Sequence, residues 1–130
     1  MGFWSWLKTV RSGKPEPIPS AQAERVNELC TVLRELIALL DADGEAHWQH
    51  WMATSLAQLE DNDLRGARHL LGAYGGMGSF NDLIIGQRMD GDQFSLAKDA
   101  NESNEILNQL RGRASFLAEE LIVAGVAGSG

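Results

Sequence analysis

Histidine side chains are the metal-binding groups that this 130-residue chain offers. His47 and His50 are three residues apart, which on a helix places both imidazoles on one face, within reach of one ion. A zinc site needs a further ligand, and the nearby candidates are Asp43 and Glu45. The chain contains no His-Glu-x-x-His or Glu-x-x-His sequence, and tryptophans stand beside the pair. We therefore predict no metal site and no cofactor.

Cys30 is the only cysteine, so no disulfide can form within the chain. A nucleophilic thiol needs cationic neighbours that lower its pKa. At helical spacing from Cys30 the one basic residue is Arg34. We therefore expect a buried, inert cysteine, and a single free thiol fits a cytoplasmic protein.

The most unusual local feature is a glycine-rich stretch at residues 74–83, which reads YGGMGSFNDL. Backbone N–H groups in such a stretch, with Ser79 as a cap, can cradle an anion. No lysine follows the glycines and no predicted strand precedes them, so neither a P-loop nor a dinucleotide site is indicated. We expect a tight crossing of the chain. Phe80 and Leu83 then anchor the loop, and one of the two polar residues between them hydrogen-bonds its backbone.

The sequence contains no convincing catalytic set. Ser79, Asn81 and Asp82 lie close together, but no histidine, metal motif or paired acid is placed beside them. A catalytic site needs a nucleophile, a base or a metal in a defined geometry. We therefore predict a protein that is not an enzyme.

Charge is distributed unevenly along the chain. Residues 1–14 contain three basic and no acidic residues, whereas residues 15–130 contain eight basic and 18 acidic residues, a charge of −10. Such a body repels phosphates, so no nucleic acid partner is expected. It attracts basic proteins and speeds their encounter, although solubility alone is the other interpretation of its acidity.

Hydrophobic periodicity predicts three long helices and one short one. Ser20 is the expected N-cap of the first, and Asp43-Gly44 ends it. Asp63 is the expected cap of the third, and Gly125 and Gly128 end the last. The predicted helices span residues 20–43, 45–60, 64–71 and about 96–124. The apolar stripe of the last helix is Ile106, Leu107, Leu110, Ala114, Leu117 and Leu121.

These helices predict an all-α fold, a compact antiparallel bundle of about four helices with a glycine-rich crossing loop between the third and fourth. The bundle domain is expected at residues 20–125. Residues 1–19 form an amphipathic segment and a linker that the prolines hold extended, and residues 126–130 form a flexible tail. The run at residues 83–85 fits a helical turn or a strand equally well, and residues 90–92 indicate a turn.

Residues 20–124 resemble a bacterial domain family of short, uncharacterised, mostly helical proteins. The matching signature is Leu70-Leu71 and residues 74–83, followed by Leu110-Arg111 and Leu117-Ala118. The resemblance implies kinship with small immunity or accessory proteins that are encoded near bacterial toxins. Residues 1–19 lie outside it.

The first functional hypothesis is a non-enzymatic binding protein, an immunity-type inhibitor that occludes a basic toxin domain through an acidic surface. Its partner is a protein, and its oligomeric state is left open because the tryptophans of the second helix suit a core or a second copy. The expected partner-binding residues are Tyr74, Met77, Asn81, Asp82, Asp61, Asp63, Asp90 and Asp92.

The second hypothesis is an accessory protein that associates with a membrane surface. Phe3, Trp4, Trp6 and Leu7 are the expected contact residues. Lys8, Arg11 and Lys14 follow them, and aromatic residues next to basic ones suit an anionic bilayer surface. One short helix anchors only weakly, so packing of this segment on the bundle or on a partner is the alternative.

Removal of residues 1–12 tests the membrane hypothesis. We expect the full chain to co-sediment with vesicles of anionic lipid and the truncated chain to stay in the supernatant, because the deletion removes the aromatic side chains and two basic ones. Sedimentation of both chains to the same extent contradicts the hypothesis.

Overall fold

The computed structural model describes residues 14–75, 78–90, 93–96 and 99–128. Across these residues the chain forms four α-helices, two short 3-10 turns and one two-stranded hairpin. The helices are α1 Ala23–Ala42, α2 Ala46–Glu60, α3 Arg65–Leu71 and α4 Ala100–Gly128, and the strands are β1 Gln87–Asp90 and β2 Gln93–Leu96. The predicted all-α helical bundle is confirmed.

The core lies between α1, α2 and α4, with α3 packed against α2 and α4. Apolar side chains at helical spacing on α1 make its central stripe, and all of the following are fully buried: Leu29, Leu33, Leu36 and Leu40. Leu107 and Leu121 of α4 face them as predicted, but Ile106 is 49% exposed. Ile106 lies outside the core because the buried positions of α4 follow Leu107 at seven-residue steps, through Ala114 and Leu121.

The ends of α1 are set by different means. Gly44 has φ +74°, the left-handed conformation that ends the helix as predicted. The predicted N-cap at Ser20 is wrong, because Ser20 belongs to a 3-10 turn, Ser20–Gln22. Gln22 stands at the N-cap of α1, and its side chain makes no capping hydrogen bond.

Residues 14–19, here called the N-terminal strap, pack along the turn between α2 and α3. Pro17 pairs with Asp63 in an isolated antiparallel bridge. The Leu64 N–H donates to the Glu16 carbonyl at 2.7 Å, and the Ile18 N–H donates to the Asn62 carbonyl at 3.3 Å. The Ile18 side chain is only 4% exposed, so the strap contributes to the core.

The predicted end of α4 is also wrong, since the helix continues through Gly125 to Gly128. A Cβ on Gly125 would lie 2.9 Å from the Leu64 Cδ2 atom. Gly125 therefore permits a close contact with the α2–α3 turn and does not terminate the helix. Residues 129–130, at the end of the predicted tail, lie outside the described residues.

The long connection from α3 to α4 is more ordered than periodicity predicts. Phe80–Asp82 forms a 3-10 turn, and Leu83 is extended. β1 and β2 pair antiparallel with Asp90 opposite Gln93, so the turn predicted at residues 90–92 falls at the hairpin end, with 91–92 outside the described residues. Because residues 93–96 form a strand, α4 begins at Ala100, later than predicted.

Two helical glycines are expected to respond to alanine in opposite directions. A Cβ on buried Gly66 would lie 2.7 Å from both Leu59 Cγ and the Ser55 carbonyl oxygen, whereas a Cβ on exposed Gly112 would meet nothing within 4 Å. We expect Gly66→Ala to lower the free energy of unfolding by about 1–3 kcal/mol through overpacking. Gly112→Ala should raise it by about 0.5–1 kcal/mol through helix propensity.

Urea unfolding followed by tryptophan fluorescence measures both changes. Gly112→Ala is the control for helix propensity, which both substitutions share. Equal stabilisation by the two alanines would contradict the close approach of α2 and α3 at Gly66.

Candidate functional site

Residues 72–85, here called the glycine loop, fold back onto the bundle around one aromatic ring. Phe80 is fully buried, with ring centroids 5.3 Å from Trp48 and 5.7 Å from Tyr74. The Phe80 N–H donates to the Ala73 carbonyl at 2.9 Å. Leu83 is half-buried against the same core. The predicted anchoring of the loop by Phe80 and Leu83 is therefore confirmed.

Arg111 of α4 ties the glycine loop to the helix that follows it. Its Nη1 atom donates to the Phe80 carbonyl at 2.8 Å and to the Leu83 carbonyl at 2.9 Å. In return, the Tyr74 hydroxyl donates to the Arg111 carbonyl at 2.7 Å. Burial lowers the pKa of Arg111 and raises the pKa of the Tyr74 hydroxyl. The loop thus crosses to α4 as predicted, held by three hydrogen bonds.

The Asp82 carboxylate of the loop accepts the backbone N–H of the turn at Gly78. Gly78 has φ +77°, and its N–H donates to Asp82 Oδ2 at 2.8 Å. Ser79 Oγ accepts from the Asn81 N–H at 3.3 Å. Asp82 therefore occupies the position that a bound anion would take at Gly78, which argues against an anion cradle there. Residues 76–77, including Met77, lie outside the described residues.

Asp63 is a structural group of the fold rather than a surface residue. It is 1% exposed, and its Oδ1 accepts from the backbone N–H groups of Glu16 at 3.0 Å and Arg65 at 3.1 Å. Its Oδ2 accepts from Arg65 Nη2 at 2.9 Å. Burial alone would raise the pKa of Asp63, but the hydrogen bonds from Arg65 and Glu16 outweigh it and hold the pKa below its ordinary value. The predicted N-cap at Asp63 is off by one residue, because Leu64 stands at the N-cap of α3 and Asp63 accepts the Arg65 N–H from the position before it. Because Asp63 is buried, we leave it out of any binding surface.

Three helix ends and the glycine loop meet at one end of the bundle, where the side chains are acidic. Asp43 Oδ1 accepts from the Gly86 N–H at 2.8 Å. The Asn104 amide of α4 donates to the Ile85 carbonyl at 2.9 Å and accepts from its N–H at 2.9 Å. These bonds hold the end of α1 beside the start of α4. The carboxylates at this end, here called the acidic end, are Asp43 and Asp99, which line one cleft, Glu45 and Asp82, which line a second, and Asp41 and Glu102, which lie on the adjoining ends of α1 and α4.

The structure brings together only part of the predicted partner-binding set. Asp82 belongs to the acidic end, Asn81 is exposed next to it on the glycine loop, and Tyr74 is half-buried. Asp61 is exposed at the opposite end of α2, which is about 22 Å long. The backbone of Asp90 lies in β1, but its side chain and all of Asp92 lie outside the described residues. The membrane-contact residues Phe3, Trp4, Trp6 and Leu7 also lie outside them.

The groups considered for metal binding and nucleophilic chemistry have other contacts. The His47 ring meets Trp48 edge-on at 4.6 Å, and within the described part of the chain no three His, Cys, Asp or Glu side chains are arranged to hold a metal ion. Cys30 is buried, and burial raises the pKa of its thiol despite the opposing charge of Arg34. No helix in the described residues combines the length and hydropathy needed to cross a bilayer.

Residues 41–95 match the model of a domain of unknown function, DUF6966. The match contains α2, α3, the glycine loop and nearly all of the hairpin, and it fits the expected similarity to an uncharacterised family. It is shorter than the resemblance at residues 20–124 and does not reach Leu110-Arg111 or Leu117-Ala118. Searches of curated proteins and of solved structures gave no match.

Replacement of Asp63 by asparagine tests whether the charge of the buried carboxylate stabilises the fold. We expect Asp63→Asn to lower the free energy of unfolding by about 1–3 kcal/mol near neutral pH, because the Arg65 ion pair is lost. The folded-state pKa is below the ordinary value of 3.8, so the carboxylate stabilises the fold above that pH and ceases to do so as the pH falls through the folded-state pKa.

The stability difference between the natural chain and Asp63→Asn should therefore narrow in acid, measured by urea unfolding between about pH 7 and pH 2.5. Asp61→Asn, an exposed neighbour, is the control and should change stability by less than about 0.5 kcal/mol. A difference that stays constant across this range would show that the charge of Asp63 is not the stabilising feature.

Proposed function

We propose that this protein is an immunity-type inhibitor that binds a basic bacterial toxin domain and occludes it without performing chemistry. The observation that supports this most directly is the acidic end, to which α1, α2, the glycine loop and α4 each contribute carboxylates. Their combined field favours rapid association with a basic protein surface. Fast capture is what an inhibitor of a lethal protein requires.

The position of two of these carboxylates favours recognition over stability. Asp41 and Asp43 lie at the C-terminal end of α1, whose last turn contains no basic residue. The helix dipole is negative there, so each acidic residue at this end opposes the dipole by about 0.3–1 kcal/mol. Asp43 compensates through its hydrogen bond with Gly86. Asp41 is exposed, and a cation in its place would suit the helix better.

An apolar side chain is available within the acidic end. Ile84 of the glycine loop is 51% exposed and lines the same cleft as Glu45 and Asp82. Protein interfaces combine an apolar centre with a polar rim. The neighbouring cation Arg111 is bound to the Phe80 and Leu83 carbonyls, and its charge interacts with Asp82.

The toxin itself is indicated by the sequence resemblance, and the charge of the acidic end indicates only that the partner is basic. A nuclease-type domain is a suitable basic partner, because proteins that act on nucleic acid carry positive surfaces. We propose the cytoplasm as the compartment, where the inhibitor would meet such a toxin. The absence of enzymatic activity is part of this proposal.

Co-expression tests the proposal. The chain is co-expressed with the product of an adjacent reading frame that has a basic C-terminal domain, and a salt-sensitive complex that suppresses its toxicity is expected. A triple variant, Asp41→Asn, Asp99→Asn and Glu102→Gln, should slow association by about tenfold or more. The matched control changes net charge equally at the opposite end of the bundle, with Glu24→Gln, Glu119→Gln and Glu120→Gln.

The control should associate nearly as fast as the natural chain. Equal slowing of both variants would show that net charge, and not the acidic end, drives association. Failure of every neighbouring gene product to bind at low salt would remove the proposal.

Asp41→Asn alone separates recognition from stability. We expect it to raise the free energy of unfolding by about 0.3–1 kcal/mol, because an unfavourable charge leaves the end of the α1 dipole. Association with the basic partner should become slower in the same variant. A loss of stability would show that Asp41 serves the fold instead.

A further inference from the structure

A shallow cleft opens inside the acidic end, between the start of α2 and the glycine loop. Its volume is about 280 Å³, and the residues that line it include Trp48, Glu45 and Asp82. Leu83 and Ile84 form an apolar part of the lining. We call this the Trp48 cleft. An aromatic surface between two carboxylates is suited to an organic cation.

We propose that the Trp48 cleft binds the guanidinium group of an arginine side chain that a protein partner presents. This inference rests on the proposed function and deepens it, since it names the group on the basic partner that is recognised. The guanidinium would stack on Trp48 and donate to Glu45 and Asp82, while its aliphatic stem would lie against Leu83 and Ile84.

Arginine fits this cleft better than lysine. A guanidinium is planar, stacks on an aromatic face and presents several N–H donors in a fixed fork, so two carboxylates can be engaged at once. An ammonium group is a compact, strongly hydrated charge that uses neither the flat ring nor the second carboxylate as well.

The recognition groups are held in place before any partner arrives. Trp48 is fixed by ring contacts with Phe80 at 5.3 Å and Trp51 at 5.8 Å. Asp82 uses Oδ2 for the Gly78 N–H, and within the described residues its other oxygen accepts no hydrogen bond, although the charge of Arg111 lies near this carboxylate. A preformed site loses little conformational entropy when it binds.

The test is a titration of the full natural chain with N-acetyl-arginine amide, followed by amide and indole NMR signals. We expect saturable shifts at the Trp48 indole N–H and at the Gly78 and Asp82 amides, with a Kd of roughly millimolar size. N-acetyl-lysine amide should bind at least about threefold more weakly.

Variants assign the binding to the cleft. Glu45→Gln should weaken arginine binding by about tenfold, because it removes a charge-assisted hydrogen bond at a partly exposed position outside the core. Trp48→Leu should weaken it at least as much. Glu119→Gln removes the same charge at the other end of the bundle and should leave binding unchanged.

Each remaining outcome decides between the cleft and a simple charge effect. Absence of saturable shifts at the cleft, equal binding of lysine, or equal weakening by Glu119→Gln would overturn the proposal. A toxin complex that forms while the arginine titration fails would overturn the cleft and leave the proposed function standing. Arginine binding without any toxin complex would overturn the proposed function and leave the cleft standing.

Discussion

The carboxylate of Asp63 is the group on which the arrangement of the bundle depends most. A buried charge is strongly unfavourable unless it is paired and fully hydrogen-bonded. Asp63 meets that requirement only if the N-terminal strap supplies the Glu16 N–H and the start of α3 supplies the N–H and guanidinium of Arg65. One side chain therefore fixes the strap, the α2–α3 turn and the direction of α3 together.

The direction of α3 determines where the glycine loop packs on the bundle. α3 delivers the chain to Tyr74, whose hydroxyl reaches the Arg111 carbonyl, and Phe80 then fills the space beside Trp48. Arg111 holds the loop through two carbonyls and leaves the loop's acidic side chain, Asp82, at the surface. The same loop thus has a fixed inner side and an acidic outer side.

Features that depend on neighbouring residues could be predicted from the sequence, and features that depend on distant contacts could not. Gly44 ends α1, and Asp63 accepts the first N–H of α3 from just before its N-cap, because each acts within one turn of chain. The strap gave no such signal, since its docking depends on a turn more than 40 residues away. Gly125 is a second example, since the sequence predicts that it ends the helix. Only the tertiary contact with Leu64 shows why a glycine stands inside α4.

The candidate site was predictable only through Asp82, the member that lies in the unusual glycine-rich stretch. The other carboxylates of the acidic end are ordinary acidic residues at helix ends, and only the antiparallel packing of α1 and α4 brings them together. Aspartates therefore have opposite roles in this chain according to burial. Asp63 is buried and its carboxylate is paired with two segments, the strap and the start of α3, so its charge stabilises the fold. Asp41 and Asp82 are exposed, so their carboxylates can contact a basic partner directly, even though the charge of Arg111 lies near Asp82.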